Sequence, residues 1–218
     1  VGWSFFRDER PRPNDGSNAS KDGRNNSNSK PERSAAMIKI MEWNVIHSLF
    51  KFEKEVKVLL TDEKIDVVML TETDGPDIRR NFKIPGFQTF YPLKQSGDEK
   101  DEKVCVVCLT RFNPIISFKI REDLMSAETP TIWIEARPTL GGKYLICGLY
   151  REWNHAGDTS IDGQVSRMGI ITSQIKKACS ECERVVVTGD VNLCSESWSS
   201  TDYRYARISN ILKETIAT

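Results

Sequence analysis

The pattern of hydrophobic and polar positions divides the chain into short elements from residue 37 onward. Residues 38–43 alternate or run apolar and predict a strand that ends at Asn44. Residues 52–60 repeat apolar side chains at helical spacing, and residues 66–70 form a short, largely apolar run. Such a run is typical of a strand that is buried on both faces. The first elements are therefore predicted to be strand, helix and strand.

Five further short segments predict strands, and Pro, Gly, Asp and Asn separate them, which implies antiparallel hairpins. A second amphipathic helix is predicted around residues 165–178, another buried strand at 184–187 and a last helix over 202–216. Mixed strands with helices packed outside them predict an α/β fold. The five hairpin segments are 87–93, 104–110, 115–120, 131–137 and 144–150.

The start of the chain differs from the rest in composition. Residues 7–36 are rich in Asn, Ser, Gly, Pro and charge and contain almost nothing apolar. We therefore predict a disordered polar leader over residues 1–36 and a single domain over residues 37–218. The formal net charge of +0 gives no overall electrostatic footprint for nucleic acid, although a local basic groove is compatible with it.

No segment of the sequence predicts a membrane protein. The longest apolar runs fall well short of the roughly 18–20 residues that cross a bilayer. The opening residues VGWSFF are too short for a secretory signal. We therefore expect an intracellular protein, in the nucleus or the cytoplasm.

Polar residues follow the ends of the buried strands, where α/β folds tend to form their sites. Glu72 comes just after the run 66–70, and a carboxylate there suits Mg²⁺, which binds one or two protein carboxylates together with water and phosphate. The alternative is a solvated carboxylate at the end of a strand. Asn44 either orients a phosphate or the ligands of the metal, or it simply occupies a turn.

Asp190 and Asn192 follow the buried strand 184–187 and lie two residues apart. If the strand continues, both side chains share one face and Val191 turns into the core. Asp190 would then serve as a general base towards water, and Asn192 as a neutral hydrogen-bond donor to the phosphate. A Gly-Asp turn is the alternative.

Tyr150 and Arg151 end the strand over residues 144–150. Tyr150 would hydrogen-bond the attacking water or the phosphate, and Arg151 would bind a DNA phosphate. The alternative is a packed aromatic ring beside a surface arginine.

Four motifs, in this order, resemble the endonuclease/exonuclease/phosphatase family, and their order is more specific than any single one. They are MEWNV (41–45), IDVVMLTE (65–72), GLYREW (148–153) and VTGDVN (187–192). A nearer likeness is to the endonuclease domain of non-LTR retrotransposon polyproteins and their host-gene relatives. It is carried by PGF (85–87), REDL (121–124), TIWIE (131–135), YREW (150–153) and the segment 198–218, and it covers about residues 37–218.

The resemblance implies a four-layer α/β sandwich that cuts a DNA phosphodiester with Mg²⁺ or Mn²⁺. It implies that Glu72 holds the metal, with Asn44 beside it. Asp190 would align or deprotonate the attacking water, and Asn192 and Tyr150 would steady the phosphate.

The sequence departs from this family in one respect. The family has a later Ser-Asp-His-type segment, whereas the 218 residues hold no Asp-His pair, and His155 comes too early to replace it. We therefore expect that the last strands of the fold are missing and that this chain alone is inactive, while its full-length parent nicks DNA. Two alternatives stay open: a non-catalytic remnant that binds nucleic acid or protein, and a family phosphatase that acts on another phosphoester.

Overall fold

The strands and helices from residue 37 onward follow the order that the sequence predicts, with one additional short helix. The computed structural model describes residues 3–6, 37–73, 78–94, 104–152, 158–193 and 203–217. The strands are β1 (Trp3–Phe6), β2 (Ile40–Asn44), β3 (Val67–Thr71), β4 (Phe87–Phe90), β5 (Val106–Arg111), β6 (Ile116–Ile120), β7 (Thr131–Pro138), β8 (Tyr144–Tyr150) and β9 (Val185–Asp190). The helices are α1 (Glu53–Asp62), α2 (Ile78–Asn81), α3 (Ile161–Glu181) and α4 (Tyr203–Ile216), with a 3₁₀ turn at Glu122–Leu124.

The strands form two mixed sheets. One has the order β2-β3-β5-β4, and the other has the order β1-β9-β8-β7-β6. The pair β2 and β3 is parallel with α1 between its strands, and the pair β8 and β9 is parallel with α3 between its strands. The remaining pairs are antiparallel, and three of them join consecutive strands, as the short connections predicted: β4–β5, β6–β7 and β7–β8.

Three hydrophobic clusters show that these elements stack in four layers. One cluster joins α1 and α2 to the outer face of the four-stranded sheet, for example through Val56 and Val68. A second lies between the two sheets and contains Met69 and Ile146. A third joins α3 and α4 to the five-stranded sheet and contains Trp133. The predicted four-layer α/β sandwich is therefore confirmed.

A glycine lets the two sheets approach each other near the site. Gly148 lies in β8, and a Cβ atom there would come within 2.4 Å of Met69 Sδ on the facing sheet. The neighbouring residues Leu149 and Tyr150 in β8 point to opposite sides and enter different clusters. The end of β8 is thereby held close to β3 across the inter-sheet layer.

One strand lies where the sequence predicted only a polar leader. Residues 3–6 form β1, which pairs antiparallel with β9 so that Trp3 lies opposite Gly189. The prediction failed for these four residues because their partner strand lies at the far end of the chain, so no local pattern marks the pairing. The rest of the predicted leader, residues 7–36, lies outside the described residues. None of the helices that the structure describes is long and apolar enough to cross a membrane.

Candidate active site at the ends of the parallel strands

The two parallel strand pairs end side by side, and their last residues meet across the sandwich. Asn44 is the last residue of β2, and Asp190 is the last residue of β9. The Asn44 amide donates a hydrogen bond from Nδ2 to Asp190 Oδ2 over 3.2 Å. Two residues separated by most of the chain are thus brought together, as expected for polar residues at the carboxyl ends of strands.

The orientation of the Asn44 amide is fixed from both ends. Its Oδ1 accepts a hydrogen bond from the backbone N–H of Ile46 over 3.0 Å. This contact forms a side-chain turn of the kind that asparagine favours. Because the oxygen is held by its own turn, the NH₂ group points towards the Asp190 carboxylate.

Glu72 lies one residue beyond the end of β3, where Thr71 is the register partner of Asn44. Its backbone is left-handed, with φ of 52°, and its side chain is only 16% exposed. Backbone in that region is uncommon for a residue other than glycine and is concentrated at functional sites. The Glu72 carboxylate also lies 3.6 Å from His47, measured between Oε2 and Nε2. Sequence reasoning assigned His47 no role, because no local pattern in the sequence places it beside Glu72.

The segment that contains Asp190 and Asn192 turns sharply and does not continue as a strand. Asp190 Oδ1 accepts a hydrogen bond from the Asn192 backbone N–H over 2.7 Å, and Asn192 has φ of 49°. Val191 is buried between them, as predicted. Of the two alternatives that the sequence left open, the structure therefore shows the turn, which is closed by the Asp190 side chain.

A glycine makes this turn possible. Gly189 has φ of 131°, and a Cβ atom at that position would lie 1.9 Å from the backbone oxygen of Leu149. No rigid backbone atom can yield by that amount, and the φ value is one that only glycine adopts at little cost. The glycine in the Gly-Asp pair is thus required by the close approach of β8 and β9.

Arg151 is buried, and its hydrogen bonds that the structure describes go to protein groups. Its exposure is 1%, and its guanidinium donates to Val191 O at 2.6 Å, Asn192 O at 2.7 Å and Gln164 Oε1 at 3.1 Å. In return, Asn192 Nδ2 donates to Arg151 O over 2.7 Å. This burial corrects the prediction that Arg151 binds a DNA phosphate: the side chain clamps the turn after β9, and no surface is left for a ligand.

Tyr150 lies directly opposite Asp190 in the register of β8 and β9. Its side chain is 9% exposed and packs in the cluster between the sheets. The structure therefore shows Tyr150 as a packed aromatic ring, which was the alternative. A contact between its hydroxyl and a phosphate stays a prediction.

Comparison with solved structures identifies the fold. The endonuclease domain of TRAS1, a telomere-specific non-LTR retrotransposon, matches with a TM-score of 0.57 and 18% identity over 82% of this chain and 72% of that chain. An AP endonuclease from Archaeoglobus fulgidus matches with a TM-score of 0.53 and 15% identity over 82% and 70% of the two chains. The AP endonuclease LMAP from Leishmania major matches with a TM-score of 0.56 and 13% identity over 83% and 66%. The chain has the endonuclease/exonuclease/phosphatase fold. No family model and no curated protein matches its sequence.

A third carboxylate, that of Glu42, lies near this site and was not among the residues predicted from the sequence. Glu42 precedes Asn44 by two residues in β2, so both side chains leave the strand on the same face. Glu42 accepts a hydrogen bond from Thr71 Oγ1 over 3.1 Å. Burial raises the pKa of Glu42, and the nearby charge of Asp190 raises it further, although the hydrogen bond from Thr71 opposes this. The period of two along the strand is the signal that would have identified it.

The oxygen donors at this edge fit a magnesium ion. In the part of the chain that the structure describes, no group of three or more His, Cys, Asp or Glu side chains comes together as a metal cage. Mg²⁺ does not need such a cage, because it retains several waters and binds through one or two carboxylates. The partly shielded Glu72 carboxylate meets that requirement, and Asn44, at the end of the neighbouring strand β2, offers an amide oxygen. The residues that the resemblance assigned to the metal are therefore chemically suited to it.

Proposed function

We propose that this chain is a divalent-metal-dependent phosphodiesterase domain that nicks DNA and derives from a retroelement. The observation that carries the proposal is the hydrogen bond between Asn44 and Asp190, which joins the two sheets at their carboxyl edge beside Glu72. An amide and two carboxylates at one edge are the groups that metal-assisted hydrolysis of a phosphoester needs.

The proposed roles follow from the contacts of each residue. Glu72 would hold Mg²⁺ or Mn²⁺ with Asn44 beside it, and the ion would supply positive charge to a phosphate oxygen. Both oxygens of Asp190 accept hydrogen bonds, from Asn44 and from the Asn192 backbone, so its carboxylate has a fixed direction. A base held in this way is prepared to align an attacking water or take its proton.

The phosphate would be steadied by the two remaining predicted residues. Asn192 Nδ2 uses one of its two hydrogens on Arg151 O, which leaves the second to donate to a phosphate oxygen. Tyr150 would approach from the layer between the sheets. Arg151 contributes by holding the turn in place, so its role is one of positioning.

DNA is the proposed substrate and the proposed partner. Support comes from the retroelement-like stretches of the sequence and from the names of the matched structures, which are a retrotransposon endonuclease and two AP endonucleases. We propose an intracellular location, in the nucleus or the cytoplasm, where such a substrate is found.

The test is a plasmid-nicking assay with Mg²⁺ and with Mn²⁺. It is run on the 218-residue chain and on a version continued through a Ser-Asp-His-type segment. We expect nicking by the continued version and its loss in the Asp190→Asn and Glu72→Gln variants, with unchanged unfolding curves. Asp62→Asn and Glu55→Gln, which alter exposed carboxylates on α1, are the matched controls and should nick normally.

Two results would overturn the proposed DNA-nicking activity. If both versions are inert with either metal but still bind DNA, the chain is a non-catalytic binding remnant. If both fail on DNA but release phosphate from another phosphoester, the domain is a phosphatase of the same fold.

A further inference from the structure

The residues after Asn44 fold back over the end of β3. β2 ends at Asn44, and the His47 backbone N–H then donates to Glu72 O over 2.7 Å. Ile46 and His47 both have left-handed backbone, with φ of 48° and 55°. Two consecutive residues other than glycine rarely take this conformation. The turn therefore places the imidazole of His47 beside the carboxylate of Glu72.

The separation of the two side chains suits a shared metal ion. Nε2 of His47 and Oε2 of Glu72 are 3.6 Å apart, which is longer than a hydrogen bond. Two donors that each lie about 2.1 Å from one ion are about 3.4 Å apart in tetrahedral geometry. In the octahedral geometry that Mg²⁺ demands, they would be about 3.0 Å apart. The observed distance is closer to the tetrahedral value.

The two side chains differ in exposure in a way that leaves a path for an ion. The side chain of His47 is 54% exposed, whereas that of Glu72 is 16% exposed. An ion from solvent would therefore meet the imidazole first and then the shielded carboxylate, with open positions left for water or a phosphate oxygen.

An imidazole nitrogen changes which ion such a site prefers. Carboxylates and waters suit Mg²⁺, whereas imidazole suits Zn²⁺ and the later first-row transition metals. We propose that His47 and Glu72 together form a transition-metal site, so that this edge of the fold binds Zn²⁺ more tightly than Mg²⁺. The inference rests on the proposed function for the role of Glu72 and goes beyond it in naming a nitrogen ligand and the class of ion.

The experiment measures the binding of metal alone to the untagged full chain under reducing conditions. Calorimetric titrations with Zn²⁺ and with Mg²⁺ are compared for the wild type, His47→Asn and Glu72→Gln. Asparagine is chosen because it tolerates left-handed backbone, and the side chain is exposed, so the fold should persist. A urea unfolding curve checks this. Co²⁺ in place of Zn²⁺ gives a second readout, because its visible absorption reports the geometry and the ligands of the ion.

We expect His47→Asn to weaken Zn²⁺ binding by at least about tenfold and to change Mg²⁺ binding by less than about twofold. Glu72→Gln should weaken both. Unchanged Zn²⁺ binding and an unchanged Co²⁺ spectrum in His47→Asn would overturn the inference and leave a simple ion pair. In that case the proposed function survives if Mg²⁺ binding still depends on Glu72. If Glu72→Gln binds both metals as the wild type does, the metal site of the proposed function fails as well.

Discussion

Replacing Arg151 by methionine tests whether the buried guanidinium holds the turn that carries Asp190. Methionine has a similar length and packs well in irregular interiors, so the substitution removes the donors without opening a large cavity. Three acceptors would lose their partner, namely Val191 O, Asn192 O and Gln164 Oε1.

The size of the effect follows from two opposing contributions. A hydrogen bond from a charged donor contributes about 1.5 kcal/mol at the low end, so three contribute about 5 kcal/mol. Burial, with a smaller effect of the Arg167 charge, lowers the pKa of Arg151 to about 10. The buried charge therefore costs about 3 kcal/mol, which methionine does not incur. We expect Arg151→Met to lower the free energy of unfolding by about 2 kcal/mol.

Arg151→Lys is the informative companion variant. Lysine keeps the buried charge but cannot present the planar fork of donors that reaches three acceptors. It should therefore be no more stable than the methionine variant, although it is the more conservative change.

Urea unfolding measures both variants. The midpoint should fall while the slope stays unchanged, because the surface exposed on unfolding is the same. A methionine variant with the wild-type midpoint, or a lysine variant that restores it fully, would refute the account of Arg151 as a clamp.

Three further predictions concern single side chains. Gly189→Ala should lower the free energy of unfolding by about 3 kcal/mol or more, because its Cβ would overlap a backbone oxygen of β8. Thermal unfolding measures this loss, and a wild-type melting temperature would contradict the prediction. Glu42→Gln should stabilise the protein at pH 7, because burial raises the pKa of Glu42 while glutamine still accepts from Thr71. The gain should shrink as the pH falls below that raised pKa and be absent below the usual value of 4.5. Urea unfolding measures it, and a variant that is less stable at pH 7 would count against burial as the cause. The hydrogen bond from Arg121 holds the pKa of Asp123 at about 2, below the usual value of 3.8. The ionised Asp123 therefore stabilises the fold above pH 3.8, and this contribution is lost as the pH falls through 2. Asp123→Asn should flatten this part of an acid-unfolding curve, and an unchanged curve would refute the prediction.

Most of the fold could be predicted because its elements differ in hydrophobic period. β3 is buried along its whole length, as its continuous apolar run indicated, and β8 has the predicted bounds Tyr144–Tyr150. α3 extends beyond the apolar face that predicted it, because Ser160 caps its start by accepting from the Gly163 N–H. The short helix α2 was not predicted, since four residues are too few to show a period.

The site could be predicted only as a set of strand ends. The sequence placed Asn44, Glu72 and Asp190 at such ends, and the structure joins Asn44 to Asp190 directly. The sequence does not reveal whether the Arg151 side chain is buried or exposed, because its burial depends on carbonyl groups 40 residues away. His47 was missed for the same kind of reason, since its left-handed backbone is not encoded by any local pattern of polarity.

The pairing of β1 with β9 has a consequence for the order in which the protein is made. Trp3 pairs with Gly189, so the residues between them, 4–188, must be synthesised before β1 meets its partner. At ordinary rates of translation, that interval is about 10 to 40 s. During this time the apolar segment 3–6 of the nascent chain lacks its partner strand β9, and it is available to pair with other chains. The edge of the sheet beside Asp190 is therefore completed only when two segments that are far apart along the newly made polypeptide come together.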